Sequence, residues 1–322
     1  MNEWIGQSPA LLAALARLKI AAPSALPVLV LGESGTGKEL AARTLHAGSA
    51  FARGPFVAVN CGALPDSLIE SELFGAARGA FTGALHARAG LVEAAEQGTL
   101  FLDEIGDASP WLQMKLLRLL DGGEFRRVGE TRTRTARVRI VAATHRDLAA
   151  RCAEGRFRAD LWYRLAAVEV ALPPLRARGD DVLRLARMFL ARGRPGAFLA
   201  PDARAAVRAH DWPGNVRELA QAMAHGALFA GAGGRVDAEA LPARIRSRAA
   251  TVQQANGLAG ELDALEQARI EQALRDAGGN RAGAARRLGL SRQGLWRKLK
   301  RRAAEAPRDD TLGGDSAWRR RS

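Results

Sequence analysis

Residues Gly32 to Lys38 read GESGTGK, a match to G-x-x-x-x-G-K set directly after a short apolar run, Pro27 to Leu31, and directly before a helical pattern. In that setting a glycine-rich turn becomes a phosphate cradle. Its glycines let backbone N–H groups point into the loop, the helix N-terminus adds positive potential, and Lys38 can reach the β- and γ-phosphates of a nucleotide. The cradle is read as Gly32, Glu33, Ser34, Gly35, Thr36, Gly37, Lys38 and Glu39. Glu39 stands where most such loops place a Ser or Thr on Mg²⁺, so metal binding must lean on another carboxylate. TLFLDE supplies it: Asp103 and Glu104 close an apolar strand, where the first acid can organise Mg²⁺ and the second can activate water. These motifs give nucleotide binding and hydrolysis, without saying what the hydrolysis drives.

The elements that must hold these groups are legible as alternating runs. Strand-like segments lie at Pro27–Leu31, Pro55–Val59, Thr99–Leu102, Val138–Ala142 and Val168–Leu172, with helical stretches between them such as Trp111–Leu120. The alternation implies a mostly parallel α/β sheet with helices on both faces, over residues 1–172. After LPPLRARGDD the strand signal stops. Val182–Leu190, Ala203–Ala209 and the segment PGNVRELAQAMAHGAL read as helices of a small all-α domain, 173–245. Residues 246–260 read as a linker. Three helices are expected over 261–303, at Glu261–Ala277, Arg281–Leu288 and Arg292–Arg302, and a disordered tail over 304–322.

Charge points to a partner. The 322-residue chain carries a formal net charge of +14, which favours an anionic partner, most simply nucleic acid. Much of the excess lies after Arg246, and Arg281 to Arg302 contains nine basic residues and no acidic one. Asn280 can cap a helix bearing Ala284, Ala285 and Leu288, Gly289 can make the turn, and Ser291 can cap a second helix with Leu295 and Leu299 inward. This is helix-turn-helix spacing. Arg292, Gln293, Arg297 and Lys298 fall on or beside the face that would enter a major groove of double-stranded DNA, with Lys300, Arg301 and Arg302 near phosphates. Two distant cysteines, Cys61 and Cys152, argue against a disulfide framework and fit a reducing cytoplasm, and no spacing suits zinc. No apolar run approaches the ~20 residues of a membrane helix, so no membrane partner is expected.

Several further stretches occur in order with GESGTGKE: NCGAL, SELFGAARGAFTGA, GTLFLDEIGD, GEFRRVG, FRADLWYRL, LPPLR and WPGNVREL. Together they closely resemble the sigma-54-dependent transcriptional activators, bacterial enhancer-binding proteins of the AAA+ superfamily, from about Ile5 to Arg302. GKE in place of GK[ST] is what that family carries. The resemblance implies an AAA+ P-loop domain with an all-α lid, a Fis-type DNA-binding end, and ATP with Mg²⁺ as cofactors. GAFTGA, Gly79, Ala80, Phe81, Thr82, Gly83 and Ala84, would be the loop that contacts the sigma factor. Asn60 would be the switch that holds Glu104 away from water. Arg158 and Arg164 would be offered across a subunit boundary to the neighbour's γ-phosphate, and Arg217 would sense phosphates from the lid. His145 stands where the family more often has Asn in its phosphate-sensing position, although imidazole can also donate a hydrogen bond. The segment before GAFTGA is Ala-Ala-Arg-Gly instead of His-Glu-Lys-Gly, with less charge at the loop base.

The expected protein is therefore an ATPase. It would bind enhancer DNA, assemble from dimers to a hexameric ring, and remodel the closed complex of sigma-54 RNA polymerase holoenzyme. Only about 26 residues precede the first strand, too few for a sensory domain of ~100 residues, so control by a trans-acting regulatory protein, or constitutive competence, is expected. The rival readings are a DNA-binding regulator with residual ATPase that does not use sigma-54, and an AAA+ motor acting on DNA itself.

Overall fold

The computed structural model describes residues 4–80 and 86–246 and, beyond them, 269, 270, 272, 273, 277, 280–291, 293, 295 and 297. The chain divides into two compact units, 1–249 and 250–322.

The first unit is built on a five-stranded sheet, β1 Val28–Leu31, β2 Phe56–Asn60, β3 Thr99–Asp103, β4 Arg139–Thr144 and β5 Val168–Ala171, in the order β2-β3-β4-β1-β5. Every pairing is parallel. The three central strands are short apolar runs because both faces are covered, whereas the edge strands β2 and β5 keep exposed positions such as Ala58 and Glu169; alternate residues serve each face. Leu29, Leu100, Leu102, Ile140 and Ala142 pack on one side with Leu73, Phe74, Leu112, Leu116 and Leu161. Val28, Val30, Phe101, Val141 and Ala143 pack on the other with Leu18, Ala41, Ala42 and Leu45. The helices concerned are α1 Pro9–Ala21, α2 Lys38–Ala47, α3 Asp66–Phe74, α4 Leu91–Ala94, α5 Pro110–Gly122, α6 Leu148–Ala153 and α7 Ala159–Leu165. Ser109 caps α5 by accepting from Leu112 N, with Pro110 at its first position.

The register has a functional consequence. Asn60 lies opposite Asp103, and β1 between β4 and β5 delivers the glycine loop to the same sheet edge. Both acids and the phosphate loop thus meet at the carboxyl ends of the strands.

Helices α8 Asp181–Gly193, α9 Pro201–Ala209 and α10 Asn215–Leu228 form the lid around Leu185, Ala186, Leu190, Val207, Trp212, Leu219 and Met223. One amendment to the all-helical expectation is a two-residue parallel pairing, Phe198–Leu199 with Arg235–Val236. Two antiparallel pairings also escape sequence reading, Gly75–Ala76 with Arg88–Ala89 and Glu124–Phe125 with Arg134–Thr135. Both flank the GAFTGA segment or its support. Ala77 N donates to Val128 O and Val128 N donates to Gly75 O, each at 2.9 Å. Gly129 of GEFRRVG has φ +76°, and a Cβ there would meet Ala80 Cβ at 2.8 Å, so glycine is required against the loop base. Phe81, Thr82, Gly83 and Ala84 lie outside the described residues.

In the second unit, α11 Arg281–Arg287 starts where expected: Asn280 Oδ1 accepts from Ala282 N and Gly283 N at 3.0 and 3.3 Å. Gly289 has φ +65° at the turn. Ile270, Ala273, Ala284, Ala285 and Leu295 form a small core, while Gln293 and Arg297 are exposed. Arg292, Lys298, Lys300 and Arg301 lie outside the described residues, as do 247–260 and 304–322. No helix among the described residues is long and apolar enough to cross a membrane.

Candidate nucleotide site

Glycine makes the phosphate loop possible. Gly35 and Gly37 sit at φ +78° and +105°, and Gly37 is the N-cap of α2, so the loop turns directly into the helix N-terminus. Lys38, almost fully buried, donates from Nζ to Gly32 O at 3.1 Å and to Glu104 Oε1 at 3.2 Å. Thr36 is buried, its hydroxyl donating to Glu33 O at 2.8 Å, which makes it a brace of the loop.

Asp103 is the last residue of β3 and Glu104 follows it. Asp103 Oδ1 accepts from Glu104 N at 3.0 Å, while Glu104 adopts the left-handed conformation at φ +50° that swings its side chain toward Lys38. Burial, and next the Glu104 charge, push the Asp103 carboxyl above its usual range, although Lys38 opposes them. Burial also pushes Glu104 up, but the His145 hydrogen bond and the nearby Lys38 charge outweigh it and hold the carboxyl below the usual range. The Oε2 atom accepts from His145 Nδ1 at 2.7 Å and from His145 N at 3.3 Å.

Both Glu104 oxygens are therefore engaged, by Lys38 and His145. Asn60 plays no part in this: its Oδ1 accepts from Gly62 N at 2.9 Å. In this structure Lys38 and His145, and not Asn60, restrain Glu104. The expected phosphate-sensing residue is thus turned to a carboxylate.

A cavity of about 470 Å³ opens at this corner, walled by Ser34, Gly35, Gly37, Lys38, Glu39, Asn60, Asp103, Glu104 and Arg217 among others. Arg217 Nη1 donates to Ser34 Oγ at 3.1 Å, so the lid arginine already touches the phosphate loop. Gly32, Glu33, Thr36 and His145 are not part of that wall. Glu39 instead pairs with Arg43 at 2.7 Å along the exposed side of α2. Cys61, beside this corner, is buried, and burial with the two neighbouring acids pushes its thiol up to about 12, which excludes it as a nucleophile at neutral pH.

Arg158 and Arg164 do not reach the cavity. Arg158 occupies the N-cap position of α7 with its side chain paired to Asp160 at 2.6 Å, and Arg164 pairs with Asp121 at 2.6 Å; both side chains are about half exposed.

Two further groups were invisible to motif reading. Arg178, fully buried, donates from Nη2 to Thr36 O and from Nε to Pro173 O, each at 3.0 Å. Asn215, also fully buried and at φ +50°, donates to Glu33 Oε2 and Ser34 O and accepts from Leu175 N. LPPLR and GNVREL mark the neighbourhood of both, but nothing in their spacing reveals contact with a loop more than 140 positions away.

For Mg²⁺ the donor chemistry fits. Asp103 offers a partly buried carboxylate of the hard-oxygen kind, with one oxygen tied to a backbone amide, and burial raises the cost of its charge. Among the described residues there is no cluster of three His, Cys, Asp or Glu able to hold a metal by itself. A single carboxylate completed by substrate phosphates and water is the usual way Mg²⁺ is held at such sites.

A parallel sheet with this phosphate loop, paired acids at the end of the strand two places away across β4 and a helical lid arginine defines a P-loop NTPase of the AAA+ type. The sequence comparisons agree. The sigma-54 interaction domain matches residues 4–171, the AAA+ ATPase lid domain 176–258, and the Fis family of bacterial regulatory proteins 261–301. The chain belongs to the sigma-54-dependent transcriptional activators. It is 46% identical over 303 residues to the transcriptional regulatory protein ZraR of Klebsiella oxytoca, covering 92% of this chain and 68% of that one. It is 47% identical to the nitric oxide reductase transcription regulator NorR2 of Cupriavidus necator, covering 94% and 63%, and 46% identical to the hydrogenase regulator HoxA of the same organism, covering 86% and 60%. The chain thus spans about two thirds of the length of these relatives. Among solved structures, NtrX from Brucella abortus in complex with ATP aligns at 34% identity and a TM-score of 0.70, covering 93% of this chain and 69% of that one.

Proposed function

We propose that the protein binds ATP in the Lys38–Arg217 cavity and hydrolyses it to remodel the closed promoter complex of sigma-54 RNA polymerase. The observation that carries this is the Lys38–Glu104–His145 constellation. An acid able to orient water is held there by the lysine that must also serve the phosphates. When phosphates claim Lys38, Glu104 Oε1 is released to accept a proton from water in line with the γ-phosphate while His145 keeps hold of Oε2. Bound at Asp103, Mg²⁺ would neutralise charge developing on the phosphate oxygens. Asn60, on the cavity wall, would take up Glu104 in other nucleotide states. Arg217 would close the lid over the phosphates, and Arg158 and Arg164 would complete the site of a neighbouring protomer, which requires a ring, in this reading a hexamer.

The same reading assigns residues 1–172 to the motor, 173–245 to the lid and 261–303 to enhancer DNA, with 246–260 as linker and 304–322 as tail. Of the DNA-contacting set Arg292, Gln293, Arg297, Lys298, Lys300 and Arg301, the exposed Gln293 and Arg297 beside the buried Leu295 have the disposition of a groove-facing surface. The Phe81–Thr82 loop would contact the sigma factor, its base held by Ala77, Val128 and Gly129. The test is ATP turnover by the full chain with Lys38→Ala as control. Turnover should fall at least about 10³-fold, since phosphate-neutralising contacts of this kind act mainly on the transition state. Turnover equal to wild type in Lys38→Ala would refute the site.

A further inference from the structure

The lid grips the phosphate loop at three successive residues. The Glu33 carboxylate receives a two-pronged pair from Arg176, at 2.8 and 2.5 Å, and a third bond from Asn215 Nδ2 at 3.1 Å. Ser34 accepts from Asn215 Nδ2 at its carbonyl, 3.0 Å, and from Arg217 at its hydroxyl, 3.1 Å. Gly35 O accepts from Val216 N at 3.0 Å. Gly35 fits so closely under the lid that a Cβ would lie 2.3 Å from Gly214 O. Asn215 holds its left-handed backbone while fully buried, and a non-glycine residue stays in that region only where its surroundings fix it. The side-chain bonds to Glu33, Ser34 and Leu175 N do so.

Glu33 would otherwise be a liability. It is an anion on the loop that receives a triphosphate, yet it is absent from the cavity wall and committed to Arg176 on the outside. Arg176 sits in LPPLR at the entry to the lid, Asn215 begins α10, and Arg217 lies two residues further along the same helix. One clasp therefore joins the phosphate loop to both the lid's entry and the helix carrying the arginine that covers the cavity.

We propose that Glu33 is a positioning residue and not a nucleotide ligand. Neutralised by Arg176 and seated by Asn215, it couples the phosphate loop to the lid, draws Arg217 over the phosphates and makes the site discriminate ATP from ADP. The inference rests on the ATP-hydrolysis reading above. ATP carries one more negative charge than ADP, so an uncompensated Glu33 would penalise ATP more. The Glu33–Arg176 pair is nearly half exposed, and exposed pairs contribute little to fold stability, so a merely structural role predicts almost no effect on nucleotide binding.

The experiment compares the full chain with Glu33→Gln, Arg176→Met and the double variant. Dissociation constants for fluorescent N-methylanthraniloyl ATP and ADP, ATP turnover and thermal unfolding are measured for each. Arg176→Met should weaken the ATP analogue about tenfold and the ADP analogue distinctly less, because a nearby anion repels the more charged ligand more strongly. Glu33→Gln in the same chain should remove that difference, bringing the double variant to the level of Glu33→Gln alone. All three should lose turnover number, since Arg217 has lost its guide, while unfolding temperatures stay close to wild type. Equal weakening of both analogues in Arg176→Met, no relief in the double variant, or unchanged turnover would overturn the clasp. A wild-type chain that neither binds the ATP analogue nor turns over ATP would instead defeat the underlying reading.

Discussion

Replacing Glu104 with Gln should lower ATP turnover about 10³-fold, within the range that a positioned general base contributes. Nucleotide affinity should stay level or improve. The two halves of this expectation come from the same geometry. Glu104 holds Lys38 at 3.2 Å, so the carboxylate competes with phosphates for the lysine. An uncharged amide competes less, leaving Lys38 to the nucleotide. It retains the shape of the side chain but cannot take a proton from water. Turnover with saturating ATP and Mg²⁺, set beside the dissociation constant of an ATP analogue, separates the two effects. A variant that loses affinity and turnover in parallel would mean that Glu104 acts by holding the loop together instead.

Arg139→Leu should destabilise the first unit by about 3–5 kcal/mol, because it strands several buried acceptors at once. Arg139 opens β4, is 1% exposed, and donates to Ala22 O, Leu45 O and Ala21 O at 2.6, 3.0 and 2.8 Å. These are carbonyls at the C-terminal ends of α1 and α2, where a helix leaves acceptors unpaired and a cation is favoured. Burial lowers the Arg139 pKa, yet the guanidinium remains charged at neutral pH. Leucine fills comparable space and supplies no donors. Thermal unfolding should move down by roughly 10 °C for a unit of this size. A change below 1 °C would show that water or local rearrangement satisfies those carbonyls.

That arginine also illustrates what the sequence could and could not disclose. The central strands were legible because a parallel strand covered on both faces is a nearly unbroken apolar run, as in VLVL and TLFL, while the edge strands FVAV and VEVA showed only as short Val-rich runs between helical patterns. Arg139 inside VRIVA looks like an edge or surface charge, since the carbonyls that make it tolerable belong to helices some hundred residues away. The three two-residue pairings carry no periodicity at all, so only the folded chain discloses them. At the site, the phosphate loop and the paired acids were legible because their chemistry depends on local spacing. Long-range partners were not: that His145 restrains Glu104, or that Glu33 faces Arg176 and Asn215 and not the nucleotide, depends on how β4 and the lid meet the loop. The cap and turn of the C-terminal unit, Asn280 and Gly289, were legible for the same local reason.

In the proposed function, hydrolysis at this cavity is spent on a polymerase through the GAFTGA loop. The most direct measurement is open-complex formation by sigma-54 holoenzyme on a closed promoter. The wild-type chain, Glu104→Gln and a Thr82 substitution that retains ATP turnover would each be supplied with ATP or a non-hydrolysable analogue. Melting should occur only with wild type and hydrolysable ATP. Melting by the Thr82 variant at the wild-type rate, or by any chain with the non-hydrolysable analogue, would show that hydrolysis is not coupled to the polymerase through this loop.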